Sequence, residues 1–312
     1  MMICARITAI IAAALAALGW TAAAAWDDGD RTDRLQPVAV FGQVGRLELG
    51  EPLAVAVDFD GNAIVADGSP GRLVMFDGMG DRAQEFEQPQ GNPGFFPTDI
   101  TLYGFFTYAI DERQRTLVRF DKDGAYRDVL LNFNQIQGTR RVSPYGIGTD
   151  AQGRIAITDI ENHQVLLLDS FLRVDIVFGN YGAWPGQLDT PLGVSFTATG
   201  EIVVSDSGNR RIQYFSDAGE PKRVVPDVEE TNPLLLPRRA VATADGALFV
   251  ADPEAGGIFM FDGGGRLVRR IVPDGTDRFQ PTDLEIHRNG MLYVTDAMNR
   301  VLYVFQVMRD QY

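Results

Sequence analysis

One pattern recurs six times along this 312-residue chain and leaves few folds open to it. Each copy opens with a proline, runs through an apolar strand to a turn, and returns as a strand that ends in aspartate. A further strand follows and ends in an aromatic residue or leucine. The prolines are Pro52, Pro97, Pro144, Pro191, Pro237 and Pro281, and the aspartates are Asp67, Asp111, Asp159, Asp206, Asp252 and Asp296. Successive prolines are 44 to 47 residues apart; the Asp follows its Pro by fifteen residues in five copies and by fourteen in the second. A period of this size, made only of short strands, predicts a propeller or a stacked array. Length alone would suggest one large domain or two small ones; six copies of one unit predict a single domain.

The fourth copy is the clearest. Pro191–Phe196 reads as the innermost strand, with the proline at its head where no ladder donor is needed. Thr199-Gly200-Glu201 turns the chain, and Ile202–Asp206 returns it. Ser207-Gly208-Asn209-Arg210 is a tight loop of turn-forming residues. Arg211–Phe215 reads as a third strand alternating in and out, and a fourth, outermost strand lies near Arg223-Val224-Val225. The last copy stops after its third strand, at Tyr303-Val304-Phe305, whereas Pro37–Gly42 resembles the outermost strand Val174–Gly179. The N-terminal strand is therefore expected to complete the last blade and shut the ring, which protects the sheet edges at the seam.

These elements resemble the NHL repeat: a Pro-led strand, a V-x-D strand end, an N-x-R loop, an aromatic, and a D-x-x-G turn. The stretch from Val177 to Gly219 matches almost throughout, through Phe178-Gly179, Gly186-Gln187-Leu188, Pro191, Asp206, Asn209-Arg210, Phe215 and Gly219. Val65-Ala66-Asp67, Ile157-Thr158-Asp159, Val250-Ala251-Asp252 and Val294-Thr295-Asp296 repeat the strand end, and Asn162-His163 and Asn299-Arg300 repeat the loop. The second copy is degenerate. The resemblance covers residues 37 to 307 and implies an all-β, six-bladed β-propeller closed by an N-terminal strand. For function it implies an interaction module of envelope complexes, by fold analogy only.

The N-terminus reads differently. Arg6 precedes the apolar run Ile7–Leu18, and Ala23-Ala24-Ala25 satisfies the small-residue rule for cleavage. The expected organisation is a Sec-type signal peptide (1–25), an N-terminal lead (26–36) and the propeller (37–312), in a periplasmic or extracellular protein without a membrane span after cleavage. An uncleaved anchor is the other reading of the run. The only cysteine, Cys4, lies ahead of it, so the mature chain has no thiol chemistry. The formal charge of −14 disfavours nucleic acid as a partner, because a phosphate backbone repels such a surface.

In a propeller the innermost strands line a central channel. The residues just after each proline therefore ring its mouth. Leu53-Ala54 and Leu192-Gly193 are bland there; Asp99, Tyr145, Arg238, Arg239 and Asp283 are not, and Glu285 follows deeper on its strand. Converging acids and arginines suit a small polar ligand or a cation, or else pair with one another and plug the channel. The repeated Asp has a simpler role, since a short carboxylate at a strand end caps the adjoining loop amides, and a catalytic residue needs one special copy rather than six.

Two enzyme classes share the expected architecture. Peptidyl-hydroxyglycine lyases resemble it but need several channel histidines for zinc, and here there are only His163, in a loop, and His287, in a turn at the opposite face. Gluconolactonase-like propellers hold calcium through Glu, Asn and Asp. Asp99, Asp283 and Glu285 are the candidate calcium ligands, although no Asn joins them. The Asp-rich segments Asp58–Asn62 and Asp121–Gly124 are too short for a twelve-residue calcium loop and read as hairpin turns.

The second copy departs from the repeat in one informative place. Where the first turn should be polar, it reads Leu102-Tyr103-Gly104-Phe105-Phe106-Thr107-Tyr108. Tyr103, Phe105 and Phe106 are candidate contacts for an envelope or extracellular protein, against the alternative of local packing on a neighbouring turn. The function expected from the sequence is a secreted or periplasmic binding scaffold with no cofactor. The alternative is a calcium-dependent, lactonase-like hydrolase or a lyase-like enzyme acting at the channel mouth.

Overall fold

The computed structural model describes residues 32–89, 94–136, 141–226 and 232–306. The leader and cleavage expectations fall on residues outside these. The described chain is all-β, with one short 3-10 turn, Phe133–Gln135. No helix among the described residues is long and apolar enough to cross a membrane.

Six meander sheets form the blades: blade 1 (52–85), blade 2 (97–132), blade 3 (144–178), blade 4 (191–225), blade 5 (239–273) and blade 6 (281–306 with 39–41). Their innermost strands are Pro52–Val57, Pro97–Tyr103, Pro144–Thr149, Pro191–Phe196, Arg239–Ala242 and Pro281–Ile286. Each neighbours the next, and Pro281–Ile286 neighbours Pro52–Val57, so the ring is closed.

Strand alternation explains the radial order. In blade 1, Ala54 and Ala56 pack toward blade 2, while Val55 and Val57 pack toward blade 6. Both faces of a blade are therefore core, and six apolar clusters fill the six gaps between blades. This corrects the in-and-out reading of Arg211–Phe215. Ile212, Gln213, Tyr214 and Phe215 are all buried, and Gln213 is tolerated because its side-chain amide donates to Asp206 and to the Gln187 carbonyl.

The seam closes as expected. Ala39–Phe41 pairs antiparallel with Val301–Gln306, in the register Ala39↔Val304, Val40↔Tyr303 and Phe41↔Leu302. Phe41 is 5% exposed and stacks on Phe76 of blade 1 at 5.8 Å. The lead before it is not featureless. Thr32–Leu35 adds to blade 5 as a fifth, outermost strand, parallel to Leu267–Pro273. It pairs along the open edge of blade 5, where Asp33 also meets Arg269 (3.1 Å) and Leu35 packs on the apolar cluster between blades 5 and 6.

The second copy builds a complete four-stranded blade despite its degenerate sequence. Its first hairpin differs from the others. Tyr103 pairs with Phe106 across a two-residue turn, Gly104-Phe105, with Gly104 at φ +63°. Most of the aromatic stretch is thus strand, and only Phe105 occupies the turn tip.

Candidate functional site in the central channel

The inner strands bring three of the sequence candidates together at the axis. Arg239 of blade 5 reaches across the channel to Asp99 of blade 2, with Nη1 3.1 Å from Oδ2. The same nitrogen donates to the carbonyls of Ile147 in blade 3 (3.1 Å) and Val194 in blade 4 (2.9 Å). Nε lies 3.3 Å from Oδ1 of Asp283 in blade 6. That contact is ionic only, since neither atom finds a hydrogen-bond partner. All three side chains are buried.

The carboxylates are held from behind. Asp99 accepts from the backbone N–H groups of Ile147 (2.7 Å) and Ile100 (2.8 Å). Asp283 accepts from the N–H of Val55 in blade 1 (2.8 Å). Blade-to-blade hydroxyl bonds surround them: Thr98 to the Tyr145 carbonyl, Ser195 to that of Ala240, and Thr282 to that of Pro52. One charged cluster therefore ties together all six inner strands.

Its charges do not balance. Burial is the largest influence on each acid, and Arg239 only partly offsets it. Asp283 and Glu285 are both pushed up to about 7, and Asp99 is raised as well. Glu285, half-buried deeper in the channel, adds a third carboxyl against one buried guanidinium. Burial works against the charge on Arg239, but Asp99, Asp283 and Glu285 outweigh it and hold the guanidinium protonated. The cluster holds protons near neutrality because desolvation makes several bare carboxylates costly.

Outside this plug the mouth is shallow. Leu53, Thr98, Tyr145, Leu192, Arg238 and Thr282 rim a cavity of about 10 Å³. Arg238 stays half-buried at the rim, its guanidinium 5.5 Å from the centre of the Tyr145 ring. This space admits about one water.

Asp99 and Asp283, two of the three candidate calcium ligands, face Arg239 across the channel. Among the described residues no group of three or more acidic, His or Cys side chains is arranged to hold a metal. The position between Asp99 and Asp283 belongs to a guanidinium. With Arg239 facing both carboxylates, these residues do not fit a calcium ion. The Asp-rich turns are hairpin turns, with Asp58 and Asp121 accepting from their own turn amides. His163 and His287 do not meet: Nδ1 of His163 accepts from the N–H of Thr190 (2.9 Å), and His287 packs on Tyr293.

The repeated aspartates are buried loop anchors. Asp206 accepts from the N–H of Asp189 (2.6 Å) and from side chains of Asn209, Arg211 and Gln213. Asp67, Asp159, Asp252 and Asp296 likewise accept backbone amides from the loop entering the blade, as Asp111 does from Phe96.

The aromatic candidates separate. Phe105 is 78% exposed and Tyr103 is exposed at its edge. The Tyr103 ring lies against Gly153 of the blade 3 turn, where a Cβ would come within 2.7 Å of it. Phe106 is half-buried between Tyr108 and the Arg119 guanidinium, 4.7 Å from its ring centre. Phe106 is packing; Phe105 is surface.

No family model matches the chain. A curated relative, Protein brain tumor of Drosophila melanogaster, is 28% identical over 131 residues, 41% of this chain and 12% of that protein. The chain thus spans a small part of that relative's length. A gluconolactonase of Xanthomonas campestris superimposes with a TM-score of 0.62 at 18% identity, over 88% of each chain. A streptogramin B lyase gives 0.62 at 14% identity, over 87% of this chain and 88% of that one. A chain of a nidogen–laminin complex gives 0.60 at 20% identity, over 73% and 83%. At these identities the likeness establishes the six-bladed propeller fold.

Proposed function

We propose that this chain is a secreted or periplasmic NHL-type propeller that works as a binding module for an envelope or extracellular protein. The observation that carries the reading is the Arg239–Asp99–Asp283 plug. The axial position where a propeller would seat a substrate or a metal is filled by the chain's own buried ion cluster. The rigid ring then presents its loops and turns as the available surface, and Phe105 is an apolar anchor of the kind that concentrates binding energy.

Lactone hydrolysis and a lyase reaction enter through the gluconolactonase and streptogramin lyase likenesses. Fold is all those likenesses carry, and catalysis would require the plug to open. The test is hydrolysis of an aldonolactone by the purified protein, with and without added calcium, beside thermal melts in both conditions. The binding reading expects background rates and a melting temperature indifferent to calcium. Turnover that disappears in Asp99→Asn would overturn it.

A further inference from the structure

We propose that the turn face of blades 1 to 3 is a docking surface for a protein that presents apolar hollows rimmed by Lys and Arg. This rests on the binding-module reading and extends it from Phe105 to three blades and to the chemistry of the partner.

In blades 1 to 5 the turn joining the first two strands and the turn joining the last two share one face of the propeller; blade 6 has only the first, because its outermost strand comes from residues 39–41. Four of these turns end in bulky apolar tips: Phe59 (71% exposed), Met79 (82%), Phe105 (78%) and Phe171 (77%). All four belong to blades 1 to 3. The equivalent tip positions in blades 4 to 6 are Ala198, Ala218, Ala244, Gly264 and Arg288. The repeat therefore does not demand these side chains, and half of the face differs from the other half.

The tips stand on connected turns. A Cβ on Gly78, beside Met79, would lie 3.3 Å from the Gly61 carbonyl of the Phe59 turn. Gln84 of blade 1 donates to the Asp123 carbonyl in a blade 2 turn (2.8 Å). Tyr103, beside Phe105, packs on Gly153 of blade 3. Two of the rings are braced by arginine: Arg288 lies 5.1 Å from the Phe59 centroid and Arg173 5.2 Å from that of Phe171. A guanidinium on one face holds a ring upright and leaves the other face free. Such anchors lose little rotamer freedom on binding.

Charge selects the partner. The first-pair and last-pair turns of blades 1 to 3 carry eight aspartates against four cations, Arg82, Lys122, Arg154 and Arg173, on a chain of formal charge −14, and Arg288 of blade 6 adds a fifth cation beside Phe59. An anionic lipid surface would be repelled, and a cationic protein rim would be attracted. Isolated large apolar tips within a charged surround match the anchor-and-rim pattern of protein interfaces.

The test uses amphipathic helical peptides that share one apolar face and differ in charge: one rich in Lys, one balanced, one rich in Glu. Affinity for the full chain carrying Cys4→Ser is measured across a salt series. The same chain with Lys122→Cys, Ala218→Cys or Ala183→Cys carries a photocrosslinker on the apolar half, the polar half or the opposite face. The proposal expects the Lys-rich peptide to bind most tightly and to weaken with salt. It expects crosslinks from position 122 alone, and a loss of about tenfold or more when Phe59, Met79, Phe105 and Phe171 are changed to Ser. Binding that ignores peptide charge, crosslinks from 183 or 218, or unchanged affinity in the Ser variant would overturn it while leaving the binding-module reading intact. Binding to phosphatidylglycerol vesicles but to no peptide would overturn it in favour of a membrane. Absence of any binding, together with lactone turnover, would overturn both readings.

Discussion

Arg239 and Asp99 sit on opposite blades of the ring, 140 residues apart in the chain, and meet at 3.1 Å on the propeller axis. Their contact turns a channel into a core. A buried ion pair of this kind is weak evidence for net stability but strong evidence for sensitivity to losing one partner. Arg239→Met should therefore destabilise the protein by roughly 3–5 kcal/mol, because Asp99 and Asp283 remain buried without their cation. Combining it with Asp99→Asn and Asp283→Asn should recover much of the loss. Urea unfolding of the single and triple variants decides; equal stabilities would show that the cluster is not a unit.

The excess of acid predicts a direction for pH. The folded-state values of Asp283 and Glu285, about 7, lie above the ordinary values of 3.8 and 4.5. The folded protein thus binds these protons more tightly than the unfolded chain. The stability they contribute is fully present below about pH 4 and is lost as pH rises through about 7. The double variant Asp283→Asn with Glu285→Gln should lose less stability than the wild type between those pH values. Chemical denaturation at several pH values measures the difference, and parallel profiles would refute the assignment.

At the seam, Phe41→Ala removes a nearly buried ring from its stack on Phe76 and should cost about 3–5 kcal/mol. Among the described residues, truncation through Leu35 removes the fifth strand of blade 5, whereas truncation through Phe41 also opens the edge of Val301–Gln306. The second truncation should lower the melting temperature much more than the first.

Asp206→Ala orphans a backbone amide and three side-chain donors around a fully buried carboxylate. A loss of about 3 kcal/mol is expected, at the upper end for unsatisfied buried groups. Calorimetry checks it; an unchanged transition would mean that the loop finds other partners.

The two phenylalanines of the blade 2 hairpin should now behave differently. Phe105→Ser removes an exposed ring and should leave the unfolding free energy within about 0.5 kcal/mol of wild type. Phe106→Ser loses packing on Tyr108 and the Arg119 stack and should cost about 1–2 kcal/mol. Thermal melts of the two single variants separate surface from packing.

Much of the architecture was legible in the chain because its determinants lie within one repeat. A proline that heads a strand, an aspartate that collects the loop amides and a run of residues buried on both faces recur at a fixed spacing, and the missing fourth strand of the last copy points to residues near 40. Even the second copy's shorter Pro-to-Asp spacing accompanies its two-residue Gly104-Phe105 turn. The plug was legible only as a list of residues at the mouth. Whether Asp99, Asp283 and Glu285 face a metal, a ligand or Arg239 depends on which blades stand opposite or beside one another, and that is set by six rotations about an axis. The same holds for Thr32–Leu35, which is ordered by an edge far away in the chain, and for Phe105 and Phe106, adjacent in sequence but pointed by the hairpin to surface and to packing. Local hydrogen bonding and apolar periodicity are written within each copy. Convergence of charge across the channel exists only once the ring has closed.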